Sequence, residues 1–579
     1  MARQRFTIND WLGLQTEAAA EVIPSGALTS CANWDLGAPS KLIKRMGSAT
    51  YGSAYTEILK RIGILYASTG EPGYVVALCA TGAVYGNAFP PTTWTVCDGS
   101  AAVNFVTTGR EVVFKDNWFA ANSANPIVIG DDTKYRTAYL AAPTATPGTA
   151  VGAATGLTGT FYYKYTFQAT RRMNRAAVTI ESNASPESAA VTVTNQKVDV
   201  SGLTAGADAG AGAKKLYRRK TGEDIHYYVA DVANATTTYT DSSADASLGA
   251  AIDDQQTHGV ASDLVTSPKY IEVHQGRLWI AGSAFTVAYS ELDQPYYWGS
   301  APASGYPSND IPIGGSQEEG FITGLCSWYE SLYVFTRRGI WQVSGYSPTT
   351  FQLRKVESVG CIAPDSLVRT PVGIIFMSHR GVEVFDGQAA TEVSGPIRTE
   401  MRAALVTTAR GAWFKDRYLC RTSTTNIYVL WPEGQKWGKY TVPAAKWEET
   451  QWLVTPISSV DTLFGISIAD NKQIVQCLKP ATYLDQSTDI AANAVTGRMD
   501  CGYAYTGKSV QRLQLEASAT VAPGAATLVT TLTPPSATGV ADTQTFSVLT
   551  TERQYADAIA PQVVGDDIQL GIAHSGGTG

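Results

Sequence analysis

Along most of this chain apolar residues come in short blocks, broken by a few polar residues and a glycine. The clearest block pair is Leu332–Gly345, LYVFTRRGIWQVSG, which returns 42 residues later as Ile374–Gly387, IIFMSHRGVEVFDG. Aligned without gaps, the copies share Arg338 and Arg380, Gly339 and Gly381, Gly345 and Gly387. Leu332, Tyr333, Val334 and Phe335 stand where Ile374, Ile375, Phe376 and Met377 stand. Each copy predicts a strand, a tight turn at Arg-Gly, a return strand and a terminal glycine. A short hairpin connection needs positive φ, which glycine adopts without a Cβ clash, so the turn glycines are expected there.

The same plan recurs along the chain. Tyr74–Tyr85 is a strand, a Thr-Gly turn and a strand, and Asn104–Asn117 is a fainter copy. Arg277–Ser290 carries Gly282 in its turn, Arg417–Trp431 has a polar turn, and Leu463–Val475 turns at Ala469–Lys472. Hairpins near 74, 111, 278, 332, 374, 417 and 463 repeat at roughly 40 residues, the spacing of β-propeller blades. The expected fold is all-β: a propeller of about seven blades, one more or fewer. Only Glu57–Tyr66 and Pro396–Val406 read as short helices.

Composition shifts divide the chain. Residues 1–50 are punctuated by Pro24, Gly26, Gly37, Pro39 and Gly47 and form an arm expected to lie along the main body or a neighbour. The propeller is then discontinuous, over 51–141 and 257–485. Ala141–Thr160 is a linker rich in Ala, Thr, Gly and Pro. It leads into an aromatic strand FYYKYTF at Phe161, a strand KLYRR at Lys215, a Thr221-Gly222 turn and a closing TTTYT at Thr236. This run resembles a fibronectin type III or other immunoglobulin-like sandwich, placed at 142–256 as an insert. Residues 486–579 hold alternating stretches such as SVQRLQLEA from Ser509, the mark of a small C-terminal β domain.

Charge narrows the function. Only 16% of residues are charged, against roughly 25% in a typical soluble protein. Such a surface is often partly covered by partners. Net charge is −7 and no basic run exceeds Arg218-Arg219-Lys220, which disfavours tight electrostatic binding of nucleic acid. The eight cysteines are scattered without a C-x-x-C pair and read mostly as free, buried thiols. No signal-peptide core and no apolar run of membrane-spanning length occurs, so synthesis in a cytosol is expected.

Catalytic constellations are not visible. The five histidines, His226, His258, His274, His379 and His574, have no metal-type spacing, and His379 reads as an exposed turn residue. No nucleophile elbow, P-loop or dinucleotide fingerprint occurs. The loop acids Asp293, Asp310, Glu318, Glu319 and Asp365 are not paired by spacing, as a glycosidase would need. Asp131-Asp132 and Asp566-Asp567 offer too few ligands for a calcium loop and read as solvated turn acids. Tyr296, Tyr297 and Trp298, and separately Trp328 and Tyr329, are expected to pack between blades; a carbohydrate platform is the sharper alternative. No catalytic, cofactor or metal residue is assigned. The singled-out residues are the turn glycines Gly282, Gly339, Gly345, Gly381 and Gly387.

Three stretches carry a further resemblance. The arm contains Ile23-Pro24-Ser25-Gly26, then Asn33, then Lys44-Arg45-Met46-Gly47. The central pair LYVFTRRGIWQVSG and IIFMSHRGVEVFDG has a polar-Gly turn and a Gly after the return strand. Asn426–Trp437, NIYVLWPEGQKW, runs from strand through turn to Trp. Together they resemble the tail nozzle or hub propellers of short-tailed bacteriophages, also called packaged-DNA stabilisation proteins. The immunoglobulin-like insert departs from the simplest members. The resemblance implies a non-enzymatic virion protein without cofactor. Six copies would close and conduct the tail channel, docking a portal-adaptor ring and tail fibres or spikes. Double-stranded DNA would pass without tight binding. The alternatives are a receptor- or carbohydrate-binding propeller and a secreted glycosidase.

Overall fold

The computed structural model describes residues 7–8, 10–38, 41–68, 70–79, 82–97, 110–121, 127–208, 210–252, 268–282, 285–298, 309–313, 320–443, 451–467 and 472–499. Beyond these it describes the strands 508–510, 513–517, 527–533, 542–547, 554–558, 563–565 and 569–575.

The chain is an all-β protein built on a β-propeller, and seven blades are formed among the described residues. Blade 1 spans Arg61–Tyr66, Pro72–Cys79, Gly82–Gly86 and Trp94–Val96. Blade 2 is Glu111–Phe114, Asn117–Ala120, Ile127–Ile129 and Tyr135–Thr137. Blade 3 is Tyr270–His274, Arg277–Ala281, Thr286–Tyr289 and Asp310–Pro312. Blade 4 is Ile322–Trp328, Ser331–Thr336, Gly339–Ser344 and Gln352–Glu357. Blade 5 is Val368–Thr370, Gly373–Met377, Val382–Phe385 and Ala390–Glu392. Blade 6 is Arg410–Trp413, Tyr418–Arg421, Asn426–Trp431 and Lys436–Thr441. Blade 7 takes Trp452–Ile457, Val460–Ser467 and Gln473–Lys479 from the end of the ring and Gly47–Tyr51 from the arm.

Burial follows from the sequence blocks. The second strands Ser331–Thr336 and Gly373–Met377 are buried along their whole length, because a blade is covered on both faces by its neighbours. The outer strand Gln352–Glu357 is largely exposed and carries Arg354, Lys355 and Glu357, charges that resist edge-to-edge pairing. The first strands of successive blades stand side by side around the axis.

Two expectations are corrected here. Arg61–Tyr66 is a strand, not part of a helix, since RIGILY is apolar on both sides and buried between blades. Gly339 is the first residue of its return strand, paired with Thr336, and its φ is not positive. Arg337-Arg338 alone make that turn. Gly345 and Gly387, after the return strands, do need glycine: their φ values are 107° and 96°, and a Cβ on Gly345 would lie 2.4 Å from the Thr350 carbonyl oxygen. Gly381 is required by close approach, with Ser394 Oγ 2.1 Å from where its Cβ would sit. Gly282 is buried directly after Arg277–Ala281; residues 283–284 of its turn lie outside the described residues. Pro396–Val406 contains the helix Arg398–Ala403.

The arm closes the ring. Gly47–Tyr51 runs antiparallel to Gln473–Lys479, pairing Thr50 with Val475 and Tyr51 with Ile474. Just before it, Arg45 is buried and forms a two-pronged ion pair with Asp485, Nη2–Oδ2 2.5 Å and Nη1–Oδ1 3.0 Å. Arg45 Nε donates to Asn33 Oδ1 at 2.7 Å and Nη2 to the Thr441 carbonyl at 2.9 Å. Asn33 in turn receives the Thr441 N–H and donates to the Ala491 carbonyl. Gly47 passes so close to Leu484 that a Cβ would lie 1.9 Å from its carbonyl oxygen. One buried polar junction thus ties the arm to blade 6 and to the segment leaving blade 7.

The arm also joins blade 6 to the C-terminal sheet. Ala27–Ala32 meets the outer strand of blade 6 at Ala32 and Lys439, and pairs with Ala492–Thr496. That strand pairs with Gln569–Ser575, which pairs with Thr527–Thr533. The insert expected as an immunoglobulin-like sandwich lies between blades 2 and 3, its strands joined in one six-stranded sheet. Its spine is the 26-residue strand Gly148–Met173, paired first with Val191–Ser201 and then with Ala211–Lys220, so most of the stretch expected as linker, Ala141–Thr160, is strand. Its core of Phe161, Tyr163, Tyr165 and Leu216 is continuous with Phe119 of blade 2 and Ile280 of blade 3.

Breaking the arm junction should cost more than any surface change. Asp485→Asn leaves Arg45 buried without its counter-charge and is expected to lose about 3–5 kcal/mol of unfolding free energy. Urea denaturation checks this; a loss under about 1 kcal/mol would contradict the junction's role.

Candidate functional site at the propeller axis

The residues that cross the propeller axis were not singled out by motif. Arg61 opens the first strand of blade 1, Glu111 that of blade 2, and Arg410 that of blade 6. Asp365 lies in the short turn Pro364–Ser366 before blade 5, and Gln451 immediately precedes blade 7. Each stands at the same end of its inner strand, so all five face one mouth of the axial hole.

They are tied across it. Arg61 Nη2 lies 3.0 Å from Asp365 Oδ1 and Arg61 Nη1 3.6 Å from Glu111 Oε2. Arg110 Nε lies 3.7 Å from Asp365, and the Arg110 guanidinium donates to the carbonyls of Pro364 and Leu367. Gln451 accepts the Ile62 N–H at 2.8 Å and donates to Glu111. Blades 1 and 5, and blades 2 and 5, are not neighbours in the ring, so these contacts are chords through its centre. The hole is therefore bridged by side chains.

The electrostatics are uneven. Burial pushes the Asp365 carboxyl up, but the Arg61 and Arg110 guanidiniums outweigh it and hold it below the usual range. Burial raises Glu111 above its ordinary value although Arg61 and Arg110 pull the other way. Deeper in the hole, on the first strand of blade 3, burial raises Glu272 to about 7 against the pull of Arg369 and Arg110. Asp365 thus does meet a second carboxylate, where spacing had paired none of the loop acids. That partner is Glu111, with Arg61 between them.

The other candidates separate cleanly. Asp293 is exposed and pairs with Lys115 at 2.7 Å. Asp310 opens the outer strand of blade 3, and Glu318 and Glu319 lie outside the described residues. Asp131 and Asp132 are not merely solvated: Arg172 and Arg136 grip them at 2.7 Å and 2.6 Å. Asp566 and Asp567 lie outside the described residues. Among the described residues no group of three or more His, Cys, Asp or Glu is placed to hold a metal ion. His226 and His274 are buried and His379 is exposed, while His258 lies outside the described residues. The seven described cysteines are buried, and Cys31, Cys97, Cys326, Cys361 and Cys420 among them are free thiols.

The aromatic clusters part ways. Trp298 and Tyr296 are buried and offer no sugar platform: Trp298 donates to the Ala138 carbonyl just after blade 2, and Tyr296 to the Arg172 carbonyl of the insert. Trp328 is half-buried, and Tyr329 is 79% exposed.

Comparison with protein-family models and with curated proteins finds no match. Among solved structures the chain is similar to the computationally designed Ika8 protein, at 10% identity and TM-score 0.34, covering 75% of this chain and 99% of that one. It is also similar to BamB from Moraxella catarrhalis, at 10% identity and TM-score 0.31, covering 73% and 98%. The Neurospora crassa Pan2 WD40 domain gives 9% identity and TM-score 0.27, covering 75% and 97%. At these scores the likenesses carry no argument; the propeller rests on the order of its own sheets.

Glu272 gives the axis a signature. Its folded value, about 7, exceeds the ordinary 4.5, so the folded state holds an extra proton between these pH values. Stability contributed by this group is full below about pH 4.5 and is lost as pH rises through 7. Glu272→Gln is expected to match the wild type near pH 4.5 and exceed it by about 1–3 kcal/mol at pH 8. Urea titrations at the two pH values check this, and equal differences at both would contradict it.

Proposed function

We propose that this chain is a structural subunit of a virion tail, several copies of which form a tube that closes and conducts the packaged genome. The observation that carries the reading is the arm. The run Ile23–Gly26, Asn33, Lys44–Gly47, through which the sequence resembles short-tailed phage nozzle propellers, supplies the residues of the buried junction. Asn33, Arg45 and Gly47 do structural work that a shared architecture would demand.

Two physical features support it. The propeller's own axis is crossed by Arg61, Arg110, Asp365 and Gln451, so in this reading DNA runs through the centre of a ring of copies. The chain is poor in charge and net acidic, which lets a polyanion pass without grip. Cyclic symmetry would close such a ring, with six copies expected from the resemblance. An adaptor ring and fibres or spikes are its expected partners, and the tail of the virion its place.

Sedimentation of the purified protein across a concentration series tests this. A species near six copies, alone or on addition of the adaptor ring, is expected. A strict monomer in both conditions would overturn the reading. Polysaccharide turnover abolished by Asp365→Ala would instead favour an enzyme at the axis.

A further inference from the structure

A propeller blade turns at one end between its first and second strands and between its third and fourth. Those turns from all seven blades therefore share one face. In blades 2, 3, 6 and 7 the first turn is Lys115-Asp116, Gln275-Gly276, Lys415-Asp416 and Ser458-Ser459, each pair at positive φ. These are mostly residue types that tolerate the left-handed region or carry a long polar side chain. Blade 4 breaks the rule. Its turn residue is Tyr329, held at φ 51° and 79% exposed. The backbone is strained to display an aromatic ring in solvent.

The display is not isolated. Tyr329 packs on Trp328 with ring centroids 4.5 Å apart. On the same face Tyr346 is 65% exposed and Val372 48%. Leu292, 54% exposed, lies against the blade 3 turn, 3.0 Å from where a Cβ on Gly276 would be. Gln275 beside it donates to the Glu330 carbonyl next to Tyr329, which links blades 3 and 4.

This strip continues an interface that already exists within the chain. The insert's hairpin covers the same face over blades 1 to 3. Asn174 N–H donates to the Lys115 carbonyl at 2.9 Å, Arg175 to the carbonyls of Tyr66 and Ala67, and Tyr296, in the loop that carries Leu292, to the Arg172 carbonyl. Protein packs on the face there, and past Leu292 apolar side chains remain exposed among the described residues.

We infer that the strip formed by Leu292, Tyr329, Tyr346 and Val372 is the contact surface for a second copy of this chain. A Tyr flanked by Trp at the centre of an exposed apolar strip is the composition of an interface anchor. The inference rests on the proposed assembly and names the surface through which it forms.

The test compares wild type with Tyr329→Asn and with Tyr329→Asn/Tyr346→Ser by sedimentation, with a glycan array in parallel. Asn suits left-handed backbone, so the thermal midpoint of the single variant should equal or exceed that of the wild type. Self-association should weaken on the order of 30-fold in the single variant and further in the double. Assembly of both variants within twofold of wild type overturns the inference and leaves the proposed function standing. Glycan binding that needs Tyr329, with assembly unchanged, overturns it in favour of a sugar platform. A wild type that never assembles overturns both.

Discussion

The ring exists because Arg45 finds Asp485. A propeller assembled from consecutive blades has one seam, where the last blade must meet the first. Here the seam is covered by Gly47–Tyr51, which supplies the outer strand of blade 7 from the opposite end of the chain. A five-residue strand is short to hold a ring shut. The buried pair of Arg45 and Asp485, both 1% exposed, sits directly before that strand and pins it. Asn33 completes the pocket by using its amide in both directions, toward Arg45 and toward blade 6. A buried ion pair is costly unless every remaining group is hydrogen-bonded, and this one is set among the Thr441, Met46 and Asn33 acceptors. Register follows: a slip of the arm by one residue would place Gly47 away from Leu484 and a side chain in its path.

The axis obeys the same logic with less burial. Charges from blades 1, 2 and 5 meet at its mouth and neutralise one another, and Gln451 of blade 7 bridges to Glu111. The two junctions divide the labour of a large open ring, one closing its circumference and the other bracing its centre. With both occupied by structural contacts, the surfaces left for function are the blade turns, the insert and the C-terminal sheet.

The hairpins were legible because strand and turn chemistry is local. Apolar blocks such as Leu332–Phe335 and Ile374–Met377 announce buried strands, and seven of them at a regular period give the propeller. The short arm motif was legible as a pattern but not as a lock, since Arg45 and Asp485 are 440 residues apart. The axial cluster was missed for the same reason: Arg61 and Asp365 stand 304 residues apart. A charged residue at the start of an otherwise apolar inner strand, as in Arg61 and Arg410, was the available signal. Tyr296–Trp298 and Trp328–Tyr329 look alike as text. They differ because the insert covers the first pair, and only the tertiary structure decides which cluster is covered. Gly339 shows a smaller limit, for a strand-initial glycine and a turn glycine read identically when the register is unknown.

In the proposed assembly the propeller is scaffold and the function lies between copies. Electron microscopy of the assembled particle tests that most directly. A ring of propellers around one central lumen is expected, with side-chain density across every propeller axis and any DNA density confined to the lumen. Isolated single propellers, or DNA density threading a propeller axis, would contradict it.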